Sequence, residues 1–130
     1  MIGMDSSAII DLFKENENLK KVLAGLGDKI ALNQISYLEL MFGIDEKNQK
    51  NKIEEEFYDS LFNSFLNLKL SNVSCKKASK IMRELSDKGE IIEAFDCVIA
   101  GIYLTNGVKR IITRNVKHFS RIKDFEVISY

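Results

Sequence analysis

Five polar residues stand at the boundaries of apolar segments, where a fold could aim them at one point. Asp5 follows "MIGM" directly, Glu39 falls in the first turn of "ISYLELMFGI", Asp96 sits at the mouth of "EAFDCVIAGIYL", and Thr113 and Asn115 end the stretch that begins with "RII". Singly, each carboxylate has an ordinary explanation. Asp and Glu near a helix start accept from free backbone N–H groups and complement the helix dipole. Asp5 can cap a helix beginning near Ser7, and Ser36-x-x-Glu39 reads as a capping box. Gathered together, carboxylates repel one another and raise each other's pKa, so an ionised group of them makes sense around a cation.

Whether they gather depends on the elements that carry them. "MIGM", "KIAL" before Asn33, "FLNLKL" at 65–70, "RIIT" at 110–113 and "FEVIS" at 125–129 are short and apolar or alternating, which fits strands. Between them the period is helical: 7–13, "NLKKVLAGL", "ISYLELMFGI" and "KNKIEEEFYDSLFNSF". In 74–88, Cys75, Ala78, Ile81, Met82 and Leu85 trace one face, with Ser74 as the expected start and Gly89 the expected end. The stretch 94–104 is apolar nearly all round, predicting a buried helix that "NG" at 106 and 107 terminates.

Strands alternating with helices predict an α/β fold with a parallel sheet covered on both sides. The functional crevice of such a sheet lies beyond the carboxyl ends of its strands. That rule selects Asp5, Glu39, Thr113 and Asn115. It leaves open the edge on which Asp96 lies, since Asp96 starts the helix that leads into the fourth strand.

The chain has 130 residues, 45% of them apolar and 29% charged, which suits one domain, 1–130, with a real core. No apolar run approaches the roughly 18–20 residues that cross a bilayer, and "MIGMDSSAII" has no basic leader region, so the expected location is cytoplasmic. Cys75 and Cys97 are too few and too isolated for a disulfide framework and are expected to be packed free thiols. Formal net charge is zero, so the molecule as a whole does not attract polyanions. Locally, 109–123 carries six basic residues and no acid, and Lys76, Lys80 and Arg83 form a second basic group. The aromatics Phe13, Phe42, Phe57, Tyr58, Phe62, Phe65 and Phe95 fall at apolar positions and are expected in the core.

Taken in order, "MDSSAIIDLF", "ISYLELMFG", "FDCVIAGIYL" and "IITRNVKHF" resemble the signature of the PIN-domain ribonucleases, in particular the VapC-like toxins. The resemblance covers essentially the whole chain. It implies a three-layer fold with a five-stranded parallel sheet flanked by helices, and a cleft in which Asp5, Glu39 and Asp96 hold Mg²⁺ or Mn²⁺. It places Ser6 beside the first acid, Thr113 in a T-x-D/N motif, and Asn115 where many members have a fourth acid. Asp5, Glu39, Asp96 and Asn115 are then the catalytic set, and Arg114 and Lys117 are candidates for RNA contact because Arg and Lys neutralise phosphates without reading bases. It further implies an RNA substrate, an antitoxin partner and a homodimer.

The chemistry is coherent with such a set: Mg²⁺ prefers hard oxygen ligands and keeps several waters, which leaves room for a phosphate oxygen and an attacking water. A metal-free acid–base ribonuclease needs two groups titrating near neutrality, and His118, the sole histidine, reads as a surface or turn residue. Glu93 matches no position of the signature and reads as a neighbour of the site. The alternative is a catalytically silent PIN fold that binds RNA or protein. A phosphoryl-accepting domain using Asp5 as nucleophile lacks the second Asp expected beside it.

Overall fold

The computed structural model describes all residues, 1–130. Five short strands, β1 (Ile2–Met4), β2 (Ile30–Asn33), β3 (Leu66–Leu68), β4 (Arg110–Ile112) and β5 (Glu126–Ile128), form one sheet in the order β3-β2-β1-β4-β5, and every pairing is parallel. The registers Gly3↔Ala31 and Gly3↔Ile111 put β1 at the centre, bonded to a strand from each half of the chain. Chain order runs outward from β1 to β3, then restarts on the other side with β4. The sheet therefore has its switch point between β1 and β4, where a crevice opens at the carboxyl edge.

Helices cover both faces, as parallel strands require. On one face α1 (Ser6–Phe13), α2 (Glu17–Gly25), α3 (Gln34–Phe42) and α4 (Gln49–Ser64) enclose a core containing Met4, Ile9, Leu19, Leu32, Tyr58 and Phe62. On the other, α5 (Asn72–Asp87), α6 (Ala94–Thr105) and α7 (Val116–Phe119) enclose Ile81, Leu85, Cys97, Ile99, Tyr103, Ile111 and Phe119. The three-layer expectation holds, and all five strands lie where the alternating segments placed them.

Close packing of α5 on α6 rests on Gly101, where a Cβ would lie 2.7 Å from the Ser74 carbonyl oxygen and 2.9 Å from the Ala78 nitrogen. Both atoms are backbone and cannot step aside. Gly3 does the same for the sheet: an added Cβ would stand 2.6 Å from the Tyr103 ring. Because that ring lies on β1, the Tyr103 hydroxyl accepts from Met4 N at 3.1 Å, Asn33 Nδ2 donates to it at 2.9 Å, and it reaches the Met4 carbonyl at 2.5 Å. A polar knot thus fixes the strand residue that immediately precedes Asp5.

Several expectations need correction. Ser71, not Ser74, caps α5; Ser74 is the third helical residue, buried, and its hydroxyl accepts from the Ser71 N–H to complete a capping box. Ala78, Ile81 and Leu85 are buried on the side of α5 that packs against α6, but Cys75 and Met82 fall on the flank of that stripe and are exposed. Phe42, Phe65 and Phe95 are not core residues, with 70%, 42% and 38% of their surface accessible. Phe42 ends α3, Phe65 caps the end of α4 and Phe95 stands in the first turn of α6, where no opposing layer reaches. Phe13, Phe57, Tyr58 and Phe62 do pack in the core. No helix is long and apolar enough to cross a membrane.

Candidate active site

Asp5 leaves β1 in extended conformation and caps α1, its Oδ1 accepting from Ala8 N at 3.1 Å and from Ser7 Oγ at 2.7 Å. Its other oxygen accepts from Thr113 Oγ1 at 2.8 Å, across the switch point. The carboxylate is therefore both a cap and a wall of the crevice. Thr113 is fully buried, and its hydroxyl also accepts from Asn115 N at 2.8 Å, so one side chain couples the end of β4 to the end of β1. Ser7 adds a second tie by accepting from Arg114 N at 3.0 Å.

Glu39 is not part of a capping box. Asn33 caps α3 by accepting from Ser36 N at 2.8 Å, so Glu39 lies one turn further into the helix and its carboxylate accepts from Ser6 Oγ at 3.2 Å. Asp96 lies at the same edge as the others. A helix that returns the chain to the start of a parallel strand must begin at that sheet's carboxyl edge, which settles what spacing left open. Asp96 Oδ2 accepts from Asn115 Nδ2 at 3.1 Å and lies 2.9 Å from His118 Nδ1. With its proton on Nδ1, His118 donates to Asp96.

These residues share one cleft of about 280 Å³ whose lining contains nothing apolar: Asp5, Ser6, Ser7, Glu39, Glu93, Asp96, Arg114 and Asn115. Burial is the main force on its acids. It pushes the Asp5 carboxyl up, against hydrogen bonds from Ser7, Thr113 and Ala8 that pull it down. Burial pushes Glu39 up to about 7, with the Ser6 hydrogen bond opposing and Asp96, Asp5 and Glu93 adding repulsion. Asp96 is also raised by burial, which the hydrogen bond and charge of His118 counter. An acidic cleft of this kind is unfavourable to its own charge and would be relieved by a cation.

The donors fit Mg²⁺ or Mn²⁺ in kind, being hard carboxylate and amide oxygens without sulfur. They are not drawn into a closed cage: nowhere are three His, Cys, Asp or Glu side chains grouped closely enough to hold one ion. Each acid is instead turned to protein donors around a roomy cleft.

Among the basic candidates, Arg114 lines the cleft, but its guanidinium is engaged by buried Asp11 at 3.1 Å. Tyr130 donates to the same carboxylate at 2.5 Å. Lys117 is exposed on α7 and does not line the cleft. The residue most misjudged from sequence is His118, which sits on Asp96 rather than on a free surface. The available signal was its spacing, three residues after Asn115, which returns a side chain to the same side of one helical turn.

A PIN-domain family model matches residues 2–124. The chain belongs to the PIN-domain family. It is 30% identical to Ribonuclease VapC1 of Methanocaldococcus jannaschii over 131 residues, covering 99% of this chain and 86% of that one. The fold matches VapBC2 of Rickettsia felis bound to a DNA fragment from its promoter, with a TM-score of 0.84, 23% identity and coverage of 100% and 99%. It also matches VapBC-1 of nontypeable Haemophilus influenzae, with a TM-score of 0.76, 27% identity and coverage of 99% and 98%.

Proposed function

We propose that this protein is a divalent-metal-dependent endoribonuclease, a VapC-like toxin that a cognate antitoxin holds in check. The observation that carries the reading is the cleft itself: two buried carboxylates, a half-buried one and an asparagine converge at the switch point in a lining without an apolar residue. The likeness to a named ribonuclease over nearly the full length supports RNA as substrate, and the likeness to VapBC assemblies supports an antitoxin partner.

Asp5, Glu39 and Asp96 would hold Mg²⁺ or Mn²⁺ between them, an ion of this kind needing only one or two direct carboxylates and keeping waters through which the others would act. When bound, the ion polarises the phosphodiester and lowers the pKa of an attacking water. The remaining work falls to the chain. Ser7 and Thr113 fix the Asp5 carboxylate from both sides, Ser6 orients Glu39, and His118 with Asn115 holds Asp96. Asn115 lines the cleft and carries a neutral carbonyl oxygen, and the rigid anchoring of these groups would keep their reorganisation small as charge develops on the phosphate.

The test is cleavage of structured RNA by purified protein with Mg²⁺ or Mn²⁺, with EDTA, and with Asp96→Asn prepared in parallel. Metal-dependent cleavage that the variant lacks is expected. Equal inactivity of both proteins on varied RNAs, together with salt-sensitive RNA binding, would replace the nuclease with a silent binding module.

A further inference from the structure

An acidic cleft repels a polyanion, and a chain of zero net charge supplies no general attraction. Affinity for RNA must then come from a local excess of cations. Resting on the nuclease reading, we propose that a basic groove between α5 and the segment joining α7 to β5 is a second RNA site, which holds the phosphate backbone of a strand whose scissile bond lies in the acidic cleft.

The groove is a concavity of about 90 Å³ that gathers Lys77, Lys80 and Lys88 from α5 and its cap with Arg121 and Lys123 from across the gap. Glu84 and Asp124 are the acids in its lining. None of the molecule's ion pairs involves any of these seven side chains, whereas Arg110 and Arg114 are neutralised by Asp28 and Asp11. The groove thus holds an uncompensated excess of positive charge assembled from two segments far apart in sequence.

It adjoins the cleft. Arg121 donates to the carbonyls of Glu90 at 3.4 Å and Ile91 at 3.1 Å, and the chain from there reaches Glu93 in the cleft lining. The Arg121 N–H also bonds the carbonyl of His118, the residue on Asp96. One short wall separates the two sites.

The lining favours nucleic acid over protein. Its apolar members, Ile81, Leu85 and Ile122, are buried in the core below, and no aromatic residue lines it. A protein partner needs an apolar or aromatic anchor at the centre of its contact. Backbone phosphates need charge alone, and without stacking platforms the contact is indifferent to sequence.

The test measures binding of a labelled single-stranded RNA 20-mer across a salt series in EDTA, which leaves the RNA intact, and cleavage of the same RNA with Mg²⁺. The proteins are wild type, Lys80→Ala/Lys88→Ala, and Lys47→Ala/Lys52→Ala, whose exposed lysines belong to the segment on the opposite face of the sheet. Losing two phosphate contacts should make the log–log salt slope shallower by about 1.4 and weaken binding roughly 20-fold at about 0.1 M salt. The control pair should bind as wild type, and matching thermal melts would show that all three are folded. If wild type cleaves RNA but the groove variant keeps its affinity and slope, the groove proposal alone is overturned. If wild type neither binds nor cleaves, the nuclease reading fails and takes the groove with it. Loss of affinity for polyglutamate but not for RNA would assign the groove to an acidic protein and overturn the proposal.

Discussion

Helix α1 has one buried aspartate at its N-cap and another in its last turn, and the protein treats them in opposite ways. Asp11 lies near the helix end with a guanidinium at 3.1 Å and a phenol at 2.5 Å, so its charge is answered within the chain. Asp5 lies at the helix start with hydroxyls and one amide as its only partners, and burial pushes its carboxyl up. Where an acid serves the fold, the sequence has supplied its counterion. Where no cation is supplied, the acid is left costly to ionise, which is what the proposed metal site requires of it.

The sharpest way to break that contrast is to neutralise each region in turn. Asp5→Asn or Asp96→Asn should lower metal-dependent RNA cleavage by more than about a hundredfold, measured as initial rates at saturating Mg²⁺. The Asp5 variant should melt no lower than wild type in EDTA, since asparagine can still cap α1 and a desolvated charge has been removed. Asp11→Ala should do the reverse. It strands Arg114 and the Tyr130 hydroxyl and should cost about 2 kcal/mol of stability by denaturant unfolding, discounted for an Arg114 side chain that is 58% exposed, while calorimetry shows Mg²⁺ binding retained.

A smaller effect is expected at His118. Its replacement by Ala removes a donor from Asp96 and should slow cleavage by about tenfold, with Asn recovering part of the loss because its amide can donate to the same oxygen. An unchanged rate in the alanine variant would reduce the histidine to packing.

The smallest effect concerns pH. Folding raises the Glu39 pKa from 4.5 to about 7, so the folded protein holds a proton that the unfolded chain has released. Its contribution to stability is fully present below pH 4.5 and is lost as pH rises through about 7. In EDTA, Glu39→Gln should flatten that decline and raise the melting temperature at alkaline pH by about 2–4 °C. Saturating Mg²⁺ should shrink the gap between the two proteins. A gap that persists would argue that the cation is not held at this carboxylate.

Much of this arrangement is legible in the sequence, for physical reasons that differ by region. The strands announce themselves because parallel strands buried on both faces are short apolar runs, and the acids that follow them inherit a place at the carboxyl edge. Asp5, Glu39, Thr113 and Asn115 are placed by that logic alone. The role of Glu39 is not, because Ser36 three residues before it mimics a cap that Asn33 actually provides. Phe42, Phe65 and Phe95 were misplaced because periodicity tells which side of a helix is apolar, not whether a neighbouring layer extends as far as its last turn. His118 depends on α7, four residues long and too short to show a period. The basic groove is invisible for another reason: Lys80 and Arg121 come from separate segments, and only the packing of α5 against the α7–β5 connection faces them toward one space.

The central strand has a consequence for how the protein is made. β1 cannot complete its pairing until β4 has been synthesised, and Asp5 waits for Thr113, 108 residues later, to receive its hydrogen bond. Contacts this distant along a chain close late in folding, after the local helices. A growing polypeptide can carry Asp5, Glu39 and Asp96 and still have no cleft, so a product cut short before β4 would have the acids but no place to use them. β4 begins at Arg110, so on the nuclease reading competence would arrive only with the last 21 of the 130 residues, and unfinished copies would lack it.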